Sequence, residues 1–126
     1  MPLNQAFGWI WVLAGFLSGL LLGLRFHEDS WWGGYTSLQR RLIRLGHISF
    51  IGLGFLNILF ALSTPRLRLD LPWLSVASWC LVAGGVTMPA CCGVMAWRPA
   101  LHKIFAVPVV ALLVGVGVIV AGVLRS

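Results

Sequence analysis

The sequence predicts an all-α integral membrane protein with four transmembrane helices in an up-down bundle. Of the 126 residues, 60% are hydrophobic and only 10% are charged, and the mean hydropathy is +0.96. Because a soluble domain is about 45–50% apolar and about 25% charged, this chain has too much apolar surface for one core. These values exclude a soluble enzyme and a disordered chain.

Four stretches without Asp, Glu, Lys or Arg divide the chain. They contain 24, 21, 27 and 21 residues, and a helix needs about 20 residues to cross a hydrocarbon core about 30 Å thick. We therefore expect a single membrane domain over residues 1–126, with helices at about 6–24, 38–62, 72–97 and 100–124. The stretches, numbered spans 1 to 4, are Met1–Leu24, Leu45–Pro65, Leu71–Trp97 and Ile104–Leu124.

Span 1 carries glycine at every fourth position of its second half. Gly15, Gly19 and Gly23 leave one stripe of the helix without side chains, so that another helix can approach closely. The stripe predicts a packing face for a helix of the same chain or of a partner. Since the span lacks the basic start of a signal peptide, we expect a retained helix.

Capping and helix-ending residues separate the later spans. Ser37 is a suitable N-cap for a helix that continues into span 2. Pro65 ends that helix, because proline lacks an N–H and disfavours helix in the residue before it. Span 3 is longer than one crossing requires, and Pro89 is its expected bending point. Pro99 suits the first turn of the fourth helix.

The basic residues behind the net charge of +6 lie between the spans or beside them. Cationic side chains there anchor helix ends at lipid headgroups, and the connections are too short for a nucleic-acid face. We therefore expect the lipid bilayer as a partner and no nucleic acid. Six of the nine Lys and Arg residues fall in segments 25–44 and 98–103. The positive-inside rule places these segments in the cytoplasm and both termini outside, in a cytoplasmic (inner) membrane.

His47 is the most informative polar residue, because an ionisable group about one turn inside a span is a functional hypothesis by default. Arg40 and Arg44 precede it within about 60° of the same helical face. Gly54 removes a side chain from that face deeper in the span. This pattern is typical of a haem b site, in which imidazole binds iron, glycine faces the macrocycle and guanidinium groups bind the propionates.

His102 is the candidate for a second axial ligand. It opens the fourth helix on the same predicted side of the membrane as His47. In a square up-down bundle, helices 2 and 4 face each other across the diagonal and can share one central ligand. The alternative is that each histidine bonds to a neighbouring helix or a lipid headgroup, as histidines near membrane ends more often do.

Three classes of function compete. The best fit is a small non-catalytic subunit or assembly partner of a larger membrane complex, energy-converting or redox in character, in contact with other membrane-protein subunits. The first alternative is a b-type cytochrome with a bis-histidine haem between helices 2 and 4. The second is a small oligomeric channel or exporter, which the missing intramembrane acid disfavours. We expect no catalytic activity of its own, because only the loop residues His27, Glu28 and Asp29 bring ionisable groups together.

Overall fold

The computed structural model describes residues 1–125, and this part of the chain forms four long α-helices joined by short connections. Each helix, the fourth together with the 3-10 turns before it, is long and apolar enough to cross a membrane. The predicted all-helical class is therefore confirmed. The helices are α1 (Pro2–Phe26), α2 (Leu38–Ser63), α3 (Leu71–Trp97) and α4 (Ala106–Val123).

Local sequence explains most helix ends. Helix α1 begins at Pro2, earlier than the expected residue 6, because the first turn of a helix does not need the N–H that proline lacks. The hydroxyl of Ser37 accepts a hydrogen bond of 3.2 Å from the backbone N–H of Arg40, so Ser37 is the N-cap of α2. Helix α2 ends at Ser63, directly before a 3-10 turn that contains Pro65.

The fourth helix begins later than the sequence predicts. Pro99–Phe105 forms 3-10 turns, and regular α-helix starts at Ala106 rather than near residue 100. Arg98 has φ −134° and ψ 81°, in keeping with the steric bias against α-helix in a residue before proline. The 3-10 segment packs mainly on α3, where the Cys91 thiol lies 3.5 Å from the Ile104 carbonyl oxygen.

Helices α1 and α2 run antiparallel, as the contacts at two glycines of α1 show. Gly8, near the start of α1, lies against Gly54 and Ile58 in the second half of α2. Gly19, near the end of α1, lies against His47 in the first half of α2. At Gly8 the two backbones are so close that an added Cβ would lie 2.6 Å from the carbonyl oxygen of Gly54.

Helices α1, α2 and α3 pack against one another, and α4 lies at the edge on α3 rather than closing a square. Helix α1 packs on α2, α2 on α3 and α3 on α4, and within residues 1–125 α4 makes no substantial contact with α1 or α2. The square in which helices 2 and 4 face each other is therefore not the arrangement that forms. Glycines explain the choice of neighbour, because Leu112 of α4 fills the space beside Gly84 and Leu81 of α3 reaches Gly115.

A buried polar cluster joins α1, α2 and α3 near the start of α1. The side-chain amide of Asn4 donates to the Asn57 side-chain oxygen at 2.8 Å, and the Ser78 hydroxyl donates to the Asn4 side-chain oxygen at 2.5 Å. The Asn57 amide also donates to the carbonyl of Leu53 at 2.9 Å. Because each side chain has a partner, the cluster closes this end of the bundle without leaving a costly unpaired group.

Candidate functional site

A groove opens between α1 and α3 in the half of the bundle next to the first connection. At the other end the Asn4–Ser78 hydrogen bond joins the two helices, whereas here they form opposite walls above α2. The groove encloses about 240 Å³. Its surface is almost entirely apolar, with Leu21 and Leu22 on one wall, Pro89 and Gly93 on the other, and Phe50 on the floor.

His47 and Ser18 form the polar pair of this groove. The Nδ1 atom of His47 lies 2.9 Å from the Ser18 hydroxyl oxygen, and the same hydroxyl donates to the carbonyl of Gly15 at 2.8 Å. The imidazole ring lies over Gly19, where an added Cβ would be 2.7 Å from Cε1 of His47. Helix α1 therefore positions the His47 ring in two ways. Ser18 makes a hydrogen bond to it, and Gly19 leaves the space that the ring occupies.

The glycine stripe of α1 faces α2 of the same chain over most of its length. Gly15 lies against Ile51, and Gly19 lies against His47, whereas the space beside Gly23 is open. Gly8, which the sequence analysis did not single out, extends the packing face toward the start of the helix. Its seven-residue spacing from Gly15 is the signal that could have revealed it.

Gly54 takes part in helix packing rather than in the groove. An added Cβ at Gly54 would lie 2.8 Å from the carbonyl oxygen of Gly8 and 2.9 Å from a methyl group of Val12. The space left by its missing side chain is therefore filled by α1. Gly46, which lies on the groove floor, is in contact with Cys92 of α3.

Arg40 orders the first connection. Its side chain is only 3% exposed and donates to the carbonyl oxygens of Phe26 at 3.2 Å and Glu28 at 2.9 Å. The guanidinium carbon also lies 5.1 Å from the centre of the Phe26 ring and 5.5 Å from that of Trp31. A cation is favourable here because the negative end of the α1 dipole lies beside it.

Arg44 makes a similar contact farther along the same connection. It donates to the carbonyl oxygen of Tyr35 at 3.2 Å, and its guanidinium lies 4.1 Å from the centre of the Tyr35 ring. Both arginines that the sequence offered as propionate ligands thus bind the backbone of residues 26–35. Within the same connection Trp32 has a left-handed φ of 53°, which costs energy in a non-glycine residue.

His102 lies apart from the groove. Its side chain is exposed on the 3-10 segment Pro99–Phe105, and it is not among the residues that line the groove around His47. Of the five residues proposed for a haem site, the structure thus places His47 alone in the groove. The haem interpretation stays a prediction.

The chain matches no family model, no curated protein and no solved structure at a significant level. The chemistry of the groove is set by its own residues. Apolar walls favour contact with apolar groups, and the His47–Ser18 pair adds polar atoms at one point. This combination of a mostly apolar cavity with one fixed polar group is characteristic of a binding site for a small lipophilic molecule.

Proposed function

We propose that the chain is an integral membrane protein that serves as a small, non-catalytic subunit or assembly partner of a larger membrane complex, docking through α4. The edge position of α4 supports this proposal. Helix α4 packs on α3 and makes no substantial contact with α1 or α2 within the described residues. An edge helix of this kind has most of its surface available to lipid or to a partner helix.

The outer face of α4 has the small residues that membrane helices use for close packing. Gly117 has open space where a side chain would be, and Ala121 follows it four residues later. Both line a hollow of about 360 Å³ beside Leu69 and Trp73. Because lipid chains and leucine side chains are equally apolar, membrane helices associate through such close contacts rather than through hydrophobicity.

The surroundings of this hollow support a partner helix rather than a small ligand. Leu113 is 69% exposed and Trp73 54% exposed, so large apolar side chains rim the small-residue face. A helix that lays its backbone over Gly117 and Ala121 would contact both of these side chains. Packing of this kind gives van der Waals contact along the whole helix.

Co-purification under mild detergent tests the proposal. We expect the tagged chain, expressed at its natural level, to run on a native gel with at least one other membrane protein. Gly117→Leu should remove that partner while the amount of the chain in the membrane stays the same. Gly23→Leu is the matched control, because Gly23 also has open space beside it but lies on α1.

Two results would contradict the proposal. One is a wild-type chain that runs alone in several mild detergents, with every membrane complex intact after its deletion. The other is a partner that stays bound to Gly117→Leu as tightly as to the wild type. In the second case the docking face is not the one on α4.

A further inference from the structure

We propose that the groove around His47 binds a lipid-soluble hydroxyl donor of the isoprenoid quinol class, with Nε2 of His47 accepting a hydrogen bond from a ring hydroxyl. The inference rests on the groove between α1, α2 and α3. It does not depend on the docking of α4 to another subunit.

The hydrogen bonds of Ser18 favour one tautomer of His47. Ser18 has one hydroxyl proton and lies near two groups, the carbonyl oxygen of Gly15 at 2.8 Å and Nδ1 of His47 at 2.9 Å. A carbonyl can only accept, whereas Nδ1 donates in one neutral tautomer of histidine. Both contacts are satisfied when Ser18 donates to Gly15 and Nδ1–H donates to Ser18. The lone pair of the neutral ring then lies on Nε2.

The Nε2 atom of His47 receives no hydrogen bond from the described residues. Within residues 1–125 the only hydrogen-bond partner of the His47 imidazole ring is Ser18, which contacts Nδ1. The groove beside the ring has apolar walls, and an unpaired polar atom in apolar surroundings is unfavourable. A ligand that brings a hydroxyl group to Nε2 removes this cost.

The groove has the size and shape for a substituted ring with a tail. A protein cavity of about 150 Å³ is enough to hold benzene, and this groove encloses about 240 Å³. The ring side chains of Phe50 and Pro89 line the groove, and Gly93 has open space beside it. Leu21, on the α1 wall, is 66% exposed. A hydrocarbon tail therefore leaves the groove over an apolar rim.

Hydrogen-bond direction separates the quinol from the quinone and from an acyl chain. A quinol carries ring hydroxyls that donate, whereas the oxidised quinone has carbonyls that only accept, and two acceptors do not form a hydrogen bond. An acyl chain offers neither group. The proposal therefore predicts that the reduced ligand binds more tightly than its oxidised form, and that both rings compete with plain hydrocarbon for the same space.

Equilibrium binding to the 126-residue chain in lipid nanodiscs tests this order of affinities. The measurements are made without oxygen, under reducing conditions for the hydroquinone and under oxidising conditions for the quinone. The probes are 2,3-dimethoxy-5-methyl-6-decylhydroquinone, its quinone and decylbenzene. We expect the hydroquinone to bind about tenfold more tightly than the quinone. A tenfold difference in Kd corresponds to about 1.4 kcal/mol of binding free energy. His47→Leu should abolish this preference. His102→Ala, which changes an exposed histidine outside the groove, should leave it intact.

Gly93→Leu gives a second test that keeps His47. Gly93 lines the groove and has open space beside it. The leucine side chain should therefore fill part of the groove and lower the affinity for all three probes. Circular dichroism checks that each variant is folded. Equal affinity for hydroquinone and quinone in the wild type, or an unchanged preference in His47→Leu, overturns the proposal. So does a Soret band that is present in the purified wild type and lost in His47→Ala, because iron then binds Nε2.

Discussion

The indole N–H of Trp11 donates a hydrogen bond of 2.8 Å to the carbonyl oxygen of Gly85. Pro89 lies four residues after Gly85 and has no N–H, so this carbonyl lacks its usual partner within α3. A carbonyl without a partner is costly in an apolar medium. Helix α1 therefore supplies the hydrogen bond that proline removes, and α3 continues through Pro89 without interruption.

Trp11→Phe should destabilise the fold by about 1–2 kcal/mol, because it leaves the Gly85 carbonyl unpaired. The phenyl ring keeps the stacking on Phe7, whose ring centre is 4.4 Å from that of Trp11. Unfolding in mixed detergent micelles measures the loss. Trp9→Phe is the control, since Trp9 is exposed.

A double-mutant cycle with Pro89→Ala shows whether this loss comes from the freed carbonyl. Alanine at position 89 restores an N–H to α3, so Trp11→Phe should cost less in that background than in the wild type. An equal cost in both backgrounds would show that Trp11 stabilises the protein through packing alone.

Ser78→Ala should cost about 1 kcal/mol, the typical size of an interhelical hydrogen bond within a membrane. The change removes the donor to Asn4 and leaves a buried side-chain oxygen with one partner fewer. Ser75→Ala is the matched control, because Ser75 lies one turn earlier on α3 and is exposed. The same unfolding measurement checks both variants, and equal stabilities would contradict a structural role for the cluster.

Arg40→Gln should loosen the first connection. Hydrogen bonds from a charged donor contribute about 1.5–3 kcal/mol each when buried, and Arg40 makes such bonds to the carbonyls of Phe26 and Glu28. We expect faster hydrogen exchange in residues 27–35 and faster proteolysis there. Arg41→Gln changes the same residue type at an exposed neighbouring position, so it should leave both rates unchanged.

The charge distribution predicts that both termini lie outside the cytoplasm. Alkaline phosphatase, which is active only outside, should be active when fused after Arg125 and inactive when inserted between residues 27 and 37. Replacement of Arg25, Arg41 and Arg98 by glutamine should weaken this orientation, because it lowers the positive charge on the predicted cytoplasmic side. Activity of the insertion at residues 27–37 would show the opposite topology.

The sequence indicated the ends of α2 well, and the start of α4 less well. Ser37 and Pro65 act on the residues next to them, so their effects can be read without knowledge of the fold. The 3-10 turns at Pro99–Phe105 depend on contact with α3, as the Cys91–Ile104 pair illustrates. Pro99 therefore correctly indicated where a new helical segment begins, but it did not indicate that this segment is a 3-10 helix.

The candidate site was predictable in part. His47 was identifiable because an ionisable residue inside an apolar span is rare. Its partner Ser18 was not, since a serine in a membrane helix commonly bonds to its own backbone. Helical periodicity placed Arg40 and Gly54 on the face of His47, but Arg40 reaches back to the end of α1 and Gly54 packs on Gly8.

The sequence by itself determined the number of helices, their approximate lengths and their apolar character, because these depend on local composition added along the chain. Only the tertiary structure decided which helices are neighbours. As a result, α1 and α3 lie on either side of His47, and α4 lies at the edge. The physical reason is that residues facing lipid and residues facing another helix are equally apolar. Hydropathy therefore does not mark the buried face, and the match between glycines on one helix and side chains on the next selects it.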